Sequence, residues 1–258
     1  MQTGAITGYI DVAQLTLYAF WLFFAGLIFY LRREDKREGY PLESDRSDRV
    51  MVQGFPSMPA PKTYLLRDGS TRMAPRAEAP ERRRGLRPGG TWPGAPMQPT
   101  GNPMVDGVGP ASYAERADVP DLTLEGLIKI VPLRVATDYA IESRDPDPRG
   151  MKVVGADRVV GGKVEDVWVD RSEAIIRYLE VSVASPAGER RVLLPMTMVR
   201  IDGRDRRVRV QSILGEQFAD VPGLQNPDQV TLREEARISA YYAGGQLYAE
   251  PLRLGPLL

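Results

Sequence analysis

Four carboxylates lie on or between two neighbouring predicted strands of this chain. Asp166 and Asp170 have the polar parity of the first strand, Glu180 has the polar parity of the second, and Glu173 lies in the turn between them. Partly buried or closely spaced carboxyl groups titrate nearer to neutral pH, so such a cluster can relay protons. The alternative is an ordinary solvated polar face, because Asp and Glu side chains are mostly exposed.

One arginine shares this region. Arg177 has the same parity as the apolar residues Leu179 and Val181. We therefore expect its guanidinium to point toward the packed side of the sheet and to pair with Asp170 or Glu173. A charged cluster of this composition is suited to proton transfer.

The chain contains neither histidine nor cysteine. This composition excludes Ser-His-Asp and Cys-His catalysis, thiolate metal sites, and histidine ligation of zinc or haem by this chain. The glycine fingerprints of phosphate-binding loops do not occur in the sequence either. Any catalysis would have to use carboxylates, Lys, Tyr or Ser alone.

A single apolar segment dominates the beginning of the sequence. Residues 12–31 carry no charge, and Arg32 and Arg33 follow directly. At about 1.5 Å per residue, a helix of this length covers about 30 Å, the hydrocarbon thickness of a bilayer. Residues 1–11 contain Asp11 but no basic side chain, so the positive-inside rule places them outside and the rest of the chain in the cytoplasm. A cleaved signal peptide would need a basic n-region and a small-residue cleavage site, which the sequence lacks.

Residues 32–110 are rich in Pro and Gly and predict little regular structure. Scattered apolar side chains, such as Phe55 and Trp92, favour an extended strap lying on another protein over a disordered linker. Within this segment Asp68-Gly69 is a strong turn signal, which predicts a hairpin over residues 62–74.

Local charge matters more than net charge, because 34 basic residues balance 34 acidic ones. This balance gives no argument for a nucleic-acid partner. Arg82, Arg83, Arg84 and Arg87 form a basic cluster that fits anionic lipid headgroups, with a solvated loop as the alternative.

The remainder, residues 111–258, has the pattern of a mainly-β domain. Short β-branched stretches cover residues 151–154, 158–160, 163–170, 175–183, 190–194 and 206–213, with Gly161-Gly162 and other turn residues between them. Five or six such strands predict a small antiparallel barrel or sandwich.

A short C-terminal helix follows these strands, near residues 227–243. It starts either at Asn226-Pro227 or at Thr231, which forms a capping box with Glu234. Gly244-Gly245 is expected to end it.

Several stretches of the sequence together resemble one known family. They are LRREDKREGYPL (residues 31–42), PTGNPMVDGVGPASYAERADVPDL (residues 99–122), DPDPRG (residues 145–150), VEDVWVDRSE (residues 164–173) and AYYAGG (residues 240–245). These stretches resemble the H subunit of purple-bacterial photosynthetic reaction centres, and the resemblance runs nearly from end to end.

The resemblance implies a fold and a setting. The fold is a single transmembrane helix followed by a mainly-β cytoplasmic domain, a small antiparallel β-barrel of the PRC type with a short C-terminal helix. The setting is the bacterial inner, intracytoplasmic membrane, with a periplasmic N-terminus and partners in the L and M subunits. Further expected partners are light-harvesting antenna polypeptides, a cytochrome subunit and membrane lipids. A nucleic acid is not expected as a partner.

The resemblance also implies a function. An H subunit is not an enzyme and ligates no cofactor or metal. Bacteriochlorophyll, bacteriopheophytin, quinones, non-haem iron and carotenoid are expected elsewhere in the complex. The subunit stabilises the L and M core and provides a polar route by which protons reach the secondary quinone.

Site residues follow from the matching motif. Glu173 corresponds to the family's carboxylate near the secondary quinone, and Asp170 and Arg177 correspond to its neighbours. Some family members use surface histidines as the proton entrance, and here Glu125 and Leu127 fall at those positions. We expect Glu125, Asp121 or Asp118 to collect protons instead.

A second function class competes with this interpretation. A membrane-tethered PRC-barrel adaptor that binds a cytoplasmic protein would have the same span and barrel. The long strap with aromatic and Met residues argues against a simple tether. A carboxylate glycosidase ranks third, because the predicted strands leave little room for a cleft with two opposed carboxyl groups.

Overall fold

The computed structural model describes residues 4, 6–7, 11–40, 42–44, 47–75, 85–92, 94–186 and 188–254. The chain divides into two compact units. We call Met1–Arg82 with Gly89–Pro96 the helix unit, and Arg83–Pro88 with Met97–Leu258 the barrel unit. Three arginines of the predicted basic cluster, Arg82, Arg83 and Arg84, lie outside the described residues.

The helix unit begins with α1, Val12–Asp35. Asp11 caps its N-terminus, where the carboxylate accepts a hydrogen bond of 2.7 Å from the Gln14 backbone N–H. In the described part of the chain this is the one helix long and apolar enough to cross a membrane. The helix continues about one turn beyond the predicted apolar segment, through Arg32 and Arg33.

Short sheets follow α1 in the helix unit. They are formed by β1 (Leu42–Ser44) with β2 (Ser47–Val52), and by β3 (Lys62–Leu65) with β4 (Thr71–Ala74). The pairing of β3 with β4 confirms the predicted hairpin. Gly69 adopts a positive φ of +80°, which its turn requires. The buried Lys36 ammonium donates hydrogen bonds to the carbonyls of Gln53 and Pro56, so the chain after α1 folds back around this side chain.

The barrel unit is built on one curled sheet. It opens with β5 (Leu86–Pro88), β6 (Met97–Pro99), α2 (Pro103–Asp106) and a 3-10 turn at Gly109–Ala111. The sheet contains β7 (Ile130–Pro132), β8 (Lys152–Val154), β9 (Val160–Asp170), β10 (Ile175–Ser185), β11 (Gly188–Pro195), β12 (Val199–Asp202) and β13 (Arg207–Val210). Its strand order is β11-β10-β9-β8-β13-β12, and β7 also pairs with β9. The β13–β8 pair is parallel and the other pairs are antiparallel.

The hydrophobic core is formed by the strands of this sheet and includes side chains from both of its faces. One valine from each of four strands is almost fully buried, namely Val153 (β8), Val181 (β10), Val192 (β11) and Val208 (β13). Ile238, Tyr241 and Tyr242 of the final helix α3 (Leu232–Tyr248) belong to the same buried cluster. The sheet and one amphipathic helix therefore form a two-layer unit.

The structure corrects the prediction of a turn at Gly161-Gly162. Both residues lie inside β9, which runs without interruption from Val160 to Asp170. A Cβ on Gly161 would lie 2.2 Å from the Phe218 ring, and one on Gly162 would lie 2.4 Å from the Ser182 carbonyl oxygen. These glycines allow close packing and do not mark a turn.

The structure also corrects the predicted end of the C-terminal helix. The capping box at Thr231 and Glu234 starts α3, which rules out the alternative start at Asn226-Pro227. Gly244 and Gly245 are buried within α3, which continues to Tyr248. A Cβ on Gly244 would lie 2.5 Å from the Ala111 Cβ, so glycine here permits helix contact with the 3-10 turn.

Candidate functional site

The predicted polar face of β9 and β10 is buried. Asp166, Asp170 and Glu180 are each at most 8% exposed, and Trp168, of the same parity, is fully buried. The chain segment around β7 covers them. β7 pairs with β9, and Arg134, just after β7, donates hydrogen bonds to Asp166 and Glu180. The interpretation as a solvated face is therefore wrong for these three carboxylates.

Arg134 holds the first pair of carboxylates. Asp166 and Glu180 are cross-strand neighbours. The Arg134 Nη1 donates to Asp166 Oδ2 at 3.1 Å and to Glu180 Oε2 at 2.9 Å, and its Nε donates to Asp228 at 3.0 Å. Trp168 Nε1 donates a further hydrogen bond of 2.9 Å to Glu180. Because each charge has a partner here, this cluster has the features of a structural ion-pair centre.

Asp170 forms a second centre at the end of β9. Its Oδ1 accepts backbone hydrogen bonds from Ser172 at 2.9 Å and Glu173 at 3.2 Å. Its Oδ2 is buried and accepts no hydrogen bond from any described residue. Lys129 Nζ lies 3.7 Å from that oxygen and 3.5 Å from Asp121 Oδ2, and the Asp121 side chain is about half exposed. Asp121, Lys129 and Asp170 thus form a row of alternating charges from the surface to a buried carboxylate.

Glu173 and Arg177 lie near Asp170 in the sequence but differ from it in their surroundings. Glu173 is exposed in the β9–β10 turn, and only its backbone N–H contacts the Asp170 side chain among the hydrogen bonds described. Arg177 is exposed and makes no ion pair with Asp170 or Glu173 among the described contacts. The expected pairing is therefore wrong.

A β-bulge explains the position of Arg177. Ile176 pairs with Val169 and Tyr178 pairs with Trp168, so Arg177 is the extra residue on its strand. An inserted residue reverses the parity of everything before it. The alternation from Leu179 backward therefore no longer predicts where the Arg177 side chain points.

Two of the three proposed proton collectors have environments that favour their charged form. The Thr231 hydroxyl donates a 2.8 Å hydrogen bond to Asp118 and lowers the pKa of this carboxyl, and Arg233 lies 3.6 Å away. A hydrogen bond from Thr123 lowers the pKa of Glu125. Glu125 lines a surface cavity of about 520 Å³ together with Asp138, Tyr139, Arg171 and Ser172, next to the β9–β10 turn. Both groups can attract protons but hold them weakly near neutral pH.

One further titratable group lies outside the patterns that local sequence analysis can detect. Glu235, in the first turn of α3, accepts a 2.7 Å hydrogen bond from the Tyr178 hydroxyl. Burial raises the pKa of Glu235, and the nearby charges of Arg177 and Arg116 only partly oppose this shift. Since Tyr178 and Glu235 are separated by 57 residues, no local pattern could predict their contact.

We expect Glu235→Gln to remove part of the pH dependence of stability. A carboxyl whose pKa is raised on folding binds its proton more tightly in the folded state, so stability falls as pH rises from the ordinary pKa through the raised one. The variant should therefore unfold at a higher temperature than the parent protein at pH 8, and at the same temperature at pH 4. Thermal unfolding followed by circular dichroism at both pH values tests this.

Glu216→Gln, at an exposed position, is the matched control and should show no such difference. A Glu235→Gln variant that is less stable than the parent protein at pH 8 would contradict the assignment.

Two models of known protein families match most of the residues of both units. Residues 4–135 match the model described as photosynthetic reaction centre, H-chain N-terminal region. Residues 140–217 match the PRC-barrel domain model. The first match contains Asp118, Asp121, Glu125, Lys129 and Arg134, and the second contains all of β9 and β10.

Proposed function

The chain belongs to the photosynthetic reaction centre H-chain family, and we propose that in such a complex it stabilises the L and M subunits and delivers protons to the secondary quinone. Membership makes it an accessory subunit, and α1 fits a membrane anchor. In this proposal the N-terminus is periplasmic and the barrel unit cytoplasmic. Pigments, quinones and iron are held by the partner chains, and this chain supplies protein contacts and ionisable side chains.

Exposed apolar side chains support the stabilising role. In the helix unit, Phe55 is 85% exposed, and Leu65 and Trp92 are also exposed. In the barrel unit, Leu124 is fully exposed beside the cavity at Glu125. Surfaces that another protein covers commonly expose large apolar side chains in patches. Each unit therefore offers contacts for the L and M subunits.

The row Asp121, Lys129 and Asp170 is the observation that carries the proton-delivery proposal. A proton taken up at the half-exposed Asp121 has a buried acceptor within two short steps, because Lys129 lies within 3.7 Å of both carboxylates. Small movements of the flexible Lys129 side chain bring either carboxylate to hydrogen-bonding distance. Oδ2 of Asp170, which accepts no hydrogen bond from any described residue, can accept the proton. In this proposal Glu173, in the β9–β10 turn, passes the proton on to the quinone.

We expect Asp170→Asn to slow the second, proton-coupled reduction of the quinone by about ten-fold, because an amide cannot take up and release the proton. The first electron transfer, which needs no proton, should keep its rate. Glu173→Gln should change the kinetics in the same direction. Flash-induced absorption changes of the intact complex, with proton uptake followed by a pH dye, measure both steps.

Asp147→Asn is the matched control, since Asp147 pairs with Arg149 on the surface and takes no part in the row. Its kinetics should equal those of the parent complex. Unchanged second-electron transfer in Asp170→Asn, in a complex that retains all its subunits, would rule out this route.

A further inference from the structure

A row of cations crosses the barrel sheet on the face opposite the buried valines of β8, β10, β11 and β13. The strand register places Arg207 of β13 beside Lys152 of β8, and Lys152 beside Lys163 of β9. Lys163 in turn pairs with Ser182 of β10, and Ser182 pairs with Arg191 of β11. Residues directly paired across strands point to the same face. Four basic side chains and one serine therefore form a continuous line across five strands.

The two lysines at the centre of this row lack acidic partners. Arg207 pairs with Asp202 and Asp205, and Arg191 lies 3.5 Å from Glu180. Lys152 and Lys163 are exposed and make no ion pair with any described residue. Like charges directly opposite each other destabilise a sheet. The lysine pair therefore does not stabilise the fold. An anionic partner, in contrast, could form ion pairs with both lysines.

A groove of about 640 Å³ contains both lysines. Gly162, which has no side chain, and Ala184, which has a small one, are part of its lining, so an approaching chain can come close to the sheet. Ser182 lies on the lysine row, and its hydroxyl donates a hydrogen bond to the Glu189 carboxylate, which also lines the groove. The groove therefore combines two free cations with one anion.

We propose that this groove binds an extended acidic segment of a partner protein. Neighbouring strands lie about 4.8 Å apart, whereas carboxylates on one side of an extended chain recur about every 6.7 Å. The flexible lysine side chains can span this difference of about 2 Å. Glu189 disfavours a phosphate or a lipid headgroup, which is anionic throughout, whereas an acidic peptide can place an uncharged residue beside Glu189. This surface is distinct from the row Asp121, Lys129 and Asp170, and neither depends on the other.

Binding of a labelled peptide of alternating Asp and Ala residues to the intact complex in detergent, followed by fluorescence anisotropy at low salt, tests the proposal. The complex should bind this peptide and not its Lys-Ala counterpart. Lys163→Glu should weaken binding at least about ten-fold, since it places a like charge against the peptide. It should also leave the unfolding temperature unchanged or higher, because it creates an opposite-charge pair with Lys152.

Arg144→Glu, which changes an exposed arginine outside the groove, is the control and should bind the peptide as the parent complex does. Lys163→Glu should also keep normal second-electron kinetics. Absence of peptide binding to the parent complex, or equal binding to the Lys163→Glu variant, would overturn the proposal. So would binding to phosphatidylglycerol vesicles that is lost in Lys163→Glu while peptide binding persists.

Discussion

Replacing Arg134 with methionine should lower the free energy of unfolding of the barrel unit by about 3 kcal/mol, the lower end of what removing one partner from a buried ion pair costs. Methionine keeps much of the volume but provides no donor. Asp166 and Glu180 would then be adjacent, buried and without the guanidinium that lies within 3.1 Å of both. Two like charges in a poorly solvated site repel each other strongly.

The loss should depend on pH. Protonation removes the unpaired charges, so the variant should recover part of its stability at pH 4.5 relative to pH 7.5. Urea unfolding of the full chain in detergent, followed by tryptophan fluorescence, measures both values, and Trp168 reports directly because it donates to Glu180.

Arg144→Met provides the comparison, since the Arg144 side chain is 88% exposed and its ion pair with Glu142 lies on the surface. Its effect should stay within about 0.5 kcal/mol. If Arg134→Met and Arg144→Met had equal effects, Arg134 would not be the counter-ion of a buried pair.

Gly245→Ala should also destabilise the barrel unit, by about 2 kcal/mol. In an exposed helix the same change stabilises by up to about 1 kcal/mol, because alanine has the better helix propensity. Here the added Cβ would lie 2.4 Å from the Ser212 carbonyl oxygen and 2.5 Å from the Ile213 side chain. The helix must move away from the 212–213 backbone, and overpacking outweighs propensity.

Thermal unfolding of the full chain shows whether the substitution stabilises or destabilises the protein. Gln246→Ala, at the next and exposed position of α3, is the control and should change stability little. A Gly245→Ala variant that is more stable than the parent protein would show that the helix can shift at no cost.

Features encoded by neighbouring residues were predictable from the sequence. Asp68-Gly69 determines the β3–β4 hairpin, and Thr231 with Glu234 determines the start of α3. Thr231 and Glu234 bond to each other, whereas Asp68 accepts from Ser70 and Gly69 donates to Leu66. In both cases the bonds lie within one turn, so no distant contact is needed.

Features that depend on a second layer of chain were not predictable. The alternation in β9 does distinguish two faces, but it cannot show that residues near β7 and Arg134 cover the polar one. Two consecutive glycines occur both in turns and at close contacts, so the sequence predicts a turn at Gly161 and a helix end at Gly244 where the structure has close packing instead. The bulge at Arg177 reverses the alternation of side chains between the two faces of β10, and no residue type in the sequence predicts it.

The contacts of α3 have a consequence for biosynthesis. The Asp118 side chain is held by the Thr231 hydroxyl, the Val119 carbonyl accepts from the Leu232 N–H, and Gly244 packs against Ala111. These partners are separated by more than a hundred residues, and long-range closure of this kind is slow. On the ribosome, residues 104–120 therefore wait for α3 to be translated before they acquire their final neighbours, whereas α1 is complete much earlier. Membrane insertion of the chain should accordingly precede closure of its barrel unit.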